Sequence, residues 1–134
     1  MAGLERRLAE AAAALATLDE VVGAADRSLV ERDGAILRLI YTFEAVWKAG
    51  RQLLAGREGV EVASPNATIR AAWRLGWLSD EDAQAAINVG RDCNLAVHMY
   101  RGQIGAEIGQ RLAAHAGVLR RWLAALQARA GAPD

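Results

Sequence analysis

Ile87-Asn88-Val89-Gly90-Arg91-Asp92-Cys93-Asn94-Leu95-Ala96-Val97-His98-Met99-Tyr100 carries two patterns at once. Read as an α-helix at about 100° per residue, it places Arg91, Asn94, His98 and Arg101 in one stripe about 80° wide, because their spacings are i, i+3, i+7 and i+10. That stripe is a basic, hydrogen-bonding ridge. Val89, Cys93, Ala96, Val97 and Tyr100 form an apolar seam on the other side, as a helix requires if it is to bury one face in a bundle. One helix thus presents both core and chemistry.

The flanking sequence is helical in the same way. Just upstream, Ser79 is placed to cap this helix, and Asp80, Glu81 and Asp82 fill its first turn, where the helix dipole favours negative charge. Trp77-Leu78 reads as an apolar linker, and Gly76 as the end of a short helix from Pro65 to about Leu75 that buries Ile69, Ala72 and Trp73. Ser64-Pro65 starts that helix, with serine as N-cap and proline at the first helical position, where its missing N–H costs nothing. Residues 56–63 break the period with Gly56 and Gly59 and read as a loop.

At the start of the chain, Leu4, Leu8, Ala11, Leu15, Leu18 and Val22 recur in steps of four and three, so the first helix runs from about Leu4 to Ala25. Asp26 or Ser28 can cap a second helix reaching about Ala55, with Ile36, Ile40, Phe43 and Trp47 as one stripe and Leu37, Leu39, Val46 and Leu54 widening it. Downstream of the opening stretch Gly102 interrupts. A last helix from about Gln103 to Ala130 buries Ile104, Ile108, Leu112, Leu119, Leu123 and Leu126. The prediction is an all-α, antiparallel up-and-down bundle of about five helices, three of them long, in a single domain spanning residues 1–134.

Composition narrows the function classes. The chain has 134 residues, 53% of them hydrophobic, enough to fill one core. Sixteen basic and sixteen acidic side chains cancel, so any positive field has to be local rather than global. The single Cys93 can form no internal disulfide, and no apolar run is long enough for a signal peptide or membrane span. A soluble, cytoplasmic protein with no membrane partner is expected. Gly102, Gly105 and Gly109 lie in a helical context and cannot form a phosphate loop. The acids show no paired spacing for a two-metal site. With His98 and His115 as the only histidines, no metal and no cofactor are expected, and His115 reads as a plain surface or boundary residue.

The ridge residues suit one reaction. A histidine exchanges a proton near neutral pH, and an arginine offers a planar fork to phosphate oxygens. In metal-independent RNA cleavage the 2′-hydroxyl attacks the adjacent phosphorus. His98 would act as general base or acid, and Arg91 would offset charge on the phosphoryl oxygens, with Asp92, Asn94 and Arg101 in support. The Arg91 and His98 Cα atoms lie about 10.5 Å apart on an ideal helix, a gap that the long arginine side chain can lean across.

Arg91-Asp92, followed after six positions by His98, resembles the arginine, polar residue, four to six residues, histidine motif of the HEPN superfamily, and His98-Met99-Tyr100 resembles its His-x-Tyr extension. Other blocks agree in order: Glu31-Arg32-Asp33, Phe43-Glu44-Ala45-Val46-Trp47-Lys48, and Ser64-Pro65 with Ile69-Arg70-Ala71-Ala72. Together they resemble the nucleotidyltransferase substrate-binding subfamily, the toxin half of pairs with a minimal nucleotidyltransferase (MNT) antitoxin, over roughly Leu4 to Leu126. The resemblance implies a homodimer in which two motifs face each other across a cleft, an MNT partner, RNase activity, and silencing by attachment of AMP to the motif tyrosine, here Tyr100. The subfamily usually has Arg-Asn, three residues, then His. Aligning its Asn with Asn94 puts Cys93 at the arginine position, and only the longer spacing assigns that role to Arg91.

Two functions follow. One is an endoribonuclease toxin using Arg91 and His98. The other is a non-catalytic subunit that presents a nucleotide or other substrate to a nucleotidyltransferase through the same cleft. A purely structural dimerisation module is the third and plainest reading.

Overall fold

The computed structural model describes residues 2–24, 26–100 and 102–132. Arg101, placed on the ridge by its spacing, lies outside the described residues. The elements are α1 (Ala2–Val22), α2 (Leu29–Leu53), a π-helical turn (Leu54–Glu58), α3 (Pro65–Arg74), α4 (Asp80–Met99) and α5 (Gly102–Gly131). Four of the five α-helices are long rather than the expected three.

The starts of α2, α3 and α4 are each fixed by a serine. Ser28, Ser64 and Ser79 all have extended backbone, and their side chains accept from the N–H of Glu31, Ala67 and Asp82, satisfying donors a helix start leaves free. At Ser28 the bond is reciprocated, because the Ser28 N–H donates to Glu31 at 2.9 Å. Gly76 (φ 76°) ends α3 in the left-handed conformation, and Gly59 (φ 64°) ends the π-turn. Gly56, read from sequence as part of a loop, lies inside that turn. The wider turn continues α2 instead of breaking it, and Arg57 donates from it to the Ala130 and Ala132 carbonyls at the end of α5.

Side-chain pairs set the helix directions. Arg38 of α2 reaches Thr17 and Glu20 near the end of α1, while Gln52 at the other end of α2 lies against Gly3, so α1 and α2 are antiparallel. Asp82 and Asp92 of α4 bond Arg121 and Arg111 of α5 in reverse order. Arg32 and Gly50 of α2 lie against Gly105 and Trp122 of α5 in the same order, making α2 and α5 parallel. The topology is therefore up-down-up-down, with α3 in the crossover between α2 and α4. Among the described residues α1 and α4 share no contact; they flank the α2–α5 pair.

The core combines Leu15 and Leu18 of α1, Leu39, Phe43, Val46 and Leu53 of α2, Ile69 of α3, Val89 of α4, and Ile108, Leu112, Leu119, Trp122 and Leu126 of α5. Four positions depart from the sequence reading. Trp73 is 46% exposed, since its indole N–H reaches out to Asp80 at 2.6 Å and bridges α3 to α4. Trp77 and Leu78, read as linker, fill the core in its place. His115 is buried, not superficial. The seam on α4 is also shorter than its period: Val89 and Cys93 are buried, but Val97 and Tyr100 are exposed. Helical period reports which way a side chain points and not whether a neighbour is there to meet it.

Candidate functional site

The outward face of α4 carries Arg91, Asn94 and His98, all exposed. Seven residues of helix return almost to the same azimuth, so Arg91 and His98 project about 20° apart. Among the described residues none of these three side chains makes a hydrogen bond or ion pair. Arg91 and Asn94 border a groove of about 480 Å³, walled by Ile87 and Gly90 on α4 and by Ser64, Pro65 and Asn66 at the start of α3, with Phe43 of α2 beneath. Gly90 lets the helices close over that floor: a Cβ there would stand 2.9 Å from the Phe43 ring. The Asn66 N–H, which Pro65 and the Ser64–Ala67 bond leave as the free donor of the first turn of α3, and the Arg91 guanidinium border one opening, and both favour anions.

Asp92 does not join the ridge. Rotated about 100° from Arg91, it turns into the α4–α5 seam, is 2% exposed, and accepts from Arg111 Nε at 2.8 Å and Nη2 at 2.9 Å. Its Oδ2 also lies 2.6 Å from His115 Nε2. A carboxylate only accepts, so that nitrogen carries the proton. Burial alone would raise the Asp92 carboxyl, but the bonds and charge of Arg111 and His115 outweigh it and hold the group below its ordinary value. The orienting role expected for Asp92 toward Arg91 and His98 is therefore a clamp between helices instead. Beside it, burial and the Asp92 and Glu44 charges push the Cys93 thiol up to about 12, so it stays a neutral, unreactive group.

Tyr100 follows α4 as its C-cap with extended backbone, which turns its ring off the helical azimuth. Its hydroxyl donates to Asp33 of α2. Arg32 stands beside the same hydroxyl, and its Nε lies 3.8 Å from the Asp33 carboxylate. Burial first, then the Asp33 bond, raise the phenol above its ordinary range against the opposing effect of Arg32. Neither Arg32 nor Asp33 carries a role assignable from the sequence pattern alone. In an up-down bundle the start of α2 and the end of α4 share one end, which was the available signal. Among the described residues no group of three or more His, Cys, Asp or Glu is placed to hold a metal ion, and no helix is long and apolar enough to cross a membrane.

Residues 6–128 match the family model described as nucleotidyltransferase substrate binding protein like. The chain belongs to this family. A crystal structure of a Thermus thermophilus protein is 44% identical and superposes with a TM-score of 0.83, covering 87% of this chain and 98% of that one. Two further structures share the HEPN fold at 14% identity. A tri-AMPylated Shewanella oneidensis HEPN toxin in complex with MNT antitoxin has a TM-score of 0.79, covering 93% of this chain and 96% of that one. A mutant of the toxin-antitoxin MntA-HpeT has a TM-score of 0.78, covering 93% and 97%. No curated protein matches the sequence. Family membership and fold agree with the resemblance drawn from Arg91-Asp92, His98-Met99-Tyr100 and the blocks around them.

Proposed function

We propose that the chain is the toxin of a HEPN/MNT pair, a metal-independent endoribonuclease of the cytoplasm that a minimal nucleotidyltransferase silences by attaching AMP to Tyr100. The observation that carries this is the exposed, unbonded stripe of Arg91, Asn94 and His98 beside a groove whose edges favour phosphate. The AMPylated state and the MNT complex of the Shewanella toxin, which shares the fold, support the partner and the modification.

In the reaction the 2′-hydroxyl oxygen bonds to the neighbouring phosphorus and the bond to the 5′-oxygen breaks. One histidine takes the 2′ proton and a second group returns a proton to the leaving oxygen. Arg91 neutralises charge on the phosphoryl oxygens. A homodimer supplies both proton carriers, one His98 from each copy. The solvent-facing stripe of Val30, Leu37 and Tyr41 on α2 and the exposed Val97 and Met99 at the end of α4 provide an apolar surface for that pairing.

Cys93 favours a second reading. It stands at the family's arginine position but is buried and unreactive, and Arg91 points about 160° away from it around the helix. On that reading the chain presents a nucleotide or itself to the transferase and cleaves nothing.

Purified protein incubated with RNA in EDTA separates the two. The toxin reading expects cleavage that falls by about a hundredfold or more in His98→Ala and Arg91→Ala. Intact RNA together with tight partner binding supports the second reading and overturns the first.

A further inference from the structure

Three helices converge on one phenol oxygen. Tyr100 reaches it from the end of α4, Asp33 of α2 accepts its hydrogen bond, and Arg32 lies alongside. Arg32 is largely buried, and among the described residues its Nε has no hydrogen-bond partner, an expensive arrangement for a charged donor. The third helix contributes space. A Cβ at Gly105 of α5 would fall 2.5 Å from the Tyr100 hydroxyl and 2.8 Å from an Arg32 terminal nitrogen. Any side chain at 105 would displace one or the other. One turn on, a Cβ at Gly109 would meet the Arg32 stem at 3.5 Å, an ordinary contact, so the close approach is confined to Gly105.

A tyrosine that merely caps α4 needs none of this. A phenol that must attack phosphorus needs both flanking groups: an acceptor for its proton, and a cation for the charge that develops on the phosphoryl oxygens. We propose that Asp33 and Arg32 are catalytic residues for nucleotidyl transfer onto Tyr100, with Gly105 holding open the space in which they meet it. The inference rests on the reading that Tyr100 is the acceptor.

The co-reactant is a nucleoside triphosphate delivered by the nucleotidyltransferase. The Tyr100 oxygen bonds to the α-phosphorus and the bond between the α- and β-phosphates breaks. Pyrophosphate leaves with the electron pair. The phenolic proton passes to the Asp33 carboxylate, which is about half exposed and returns it to water. The product is a phosphodiester anion on Tyr100, and Arg32 is placed to pair with it.

The test incubates the full chain with the nucleotidyltransferase of the same genome, ATP and Mg²⁺, and follows intact mass and peptide maps over time. Wild type should gain AMP on Tyr100 and Tyr100→Phe should not. Asp33→Asn and Arg32→Gln should each slow the transfer about a hundredfold with partner binding and thermal midpoint retained, and Gly105→Ala should slow it without touching either charge. Fluorotyrosine supplies the readout that a packing role would not move: with only Tyr41 and Tyr100 in the chain, global substitution makes the acceptor phenol more acidic and should restore much of the rate lost in Asp33→Asn. An Asp33→Asn chain modified as fast as wild type, or one that fluorotyrosine leaves equally slow, overturns the proposal. A wild-type chain that stays unmodified at Tyr100 overturns the reading beneath it, and the proposal with it.

Discussion

A carboxylate that is 2% exposed stays charged in the fold only because something else holds it, and at Asp92 the holders are Arg111 and His115. Its folded carboxyl lies below the ordinary value of about 3.9. The stability it adds is therefore fully present above about pH 4 and is lost as the pH falls through the lower folded value. Asp92→Asn should remove that acid-sensitive part of the stability curve. At neutral pH it should cost about 2 kcal/mol, less than a fully buried pair because Arg111 is 44% exposed. Urea melts between pH 3 and 7 test both effects: a variant curve parallel to wild type would refute the first, and one superimposed on it would refute both. His115 was legible, since Ile108, Leu112, His115 and Leu119 continue one stripe in steps of four, three and four. Its neighbours Ala113, Ala114 and Ala116 mark neither a core nor a surface face and so hide that stripe. Asp92 was harder, because sequence adjacency to Arg91 suggested a common task where helix geometry separates them by about 100°.

Two glycines inside helices show how the same substitution changes sign with its surroundings. A Cβ at Gly34 of α2 meets nothing within 4 Å, so Gly34→Ala should stabilise by about 0.5–1 kcal/mol through helix propensity alone. At Gly90 the added methyl would press on Phe43, a buried ring with Trp122 close by at 6.4 Å between centroids. Overpacking of about 1–3 kcal/mol outweighs the propensity gain, so Gly90→Ala should destabilise. Thermal melts of the pair decide it, and stabilisation in both would mean that the α2–α4 contact is slack. The helix starts at Ser64 and Ser79 were readable, and that of α2 to a choice between Asp26 and Ser28 that the structure decides for Ser28, because capping is a local bond between neighbours in sequence. The π-turn at Leu54–Glu58 was not, because glycine signals a break and cannot signal a widened turn whose Arg57 is tied to the far end of α5.

The arrangement of the whole bundle leaves α4 with one bare side: α1 lies across the α2–α5 pair and does not reach it. Exposed Leu37 and Tyr41 on α2 and Val97 on α4 add an uncovered apolar area. If the proposed homodimer closes over it, Leu37→Glu with Tyr41→Glu should convert a dimer to a monomer in sedimentation and abolish RNA cleavage while the monomer keeps its helical spectrum. A double variant that stays dimeric places the interface elsewhere. Fold class and helix order were legible because apolar period, caps and breaks are local patterns. Single-helix azimuth was legible and put Arg91, Asn94 and His98 on one exposed face of α4, whereas the Tyr100, Asp33 and Arg32 meeting depends on which ends of the bundle come together. Cys93 gives the molecule a built-in reporter. As the chain's one thiol, buried on the inner side of the helix that bears the ridge, it is alkylated as that helix loosens from its neighbours. The rate of its labelling, with and without RNA or nucleotide, therefore times the loosening of α4 in the unaltered protein.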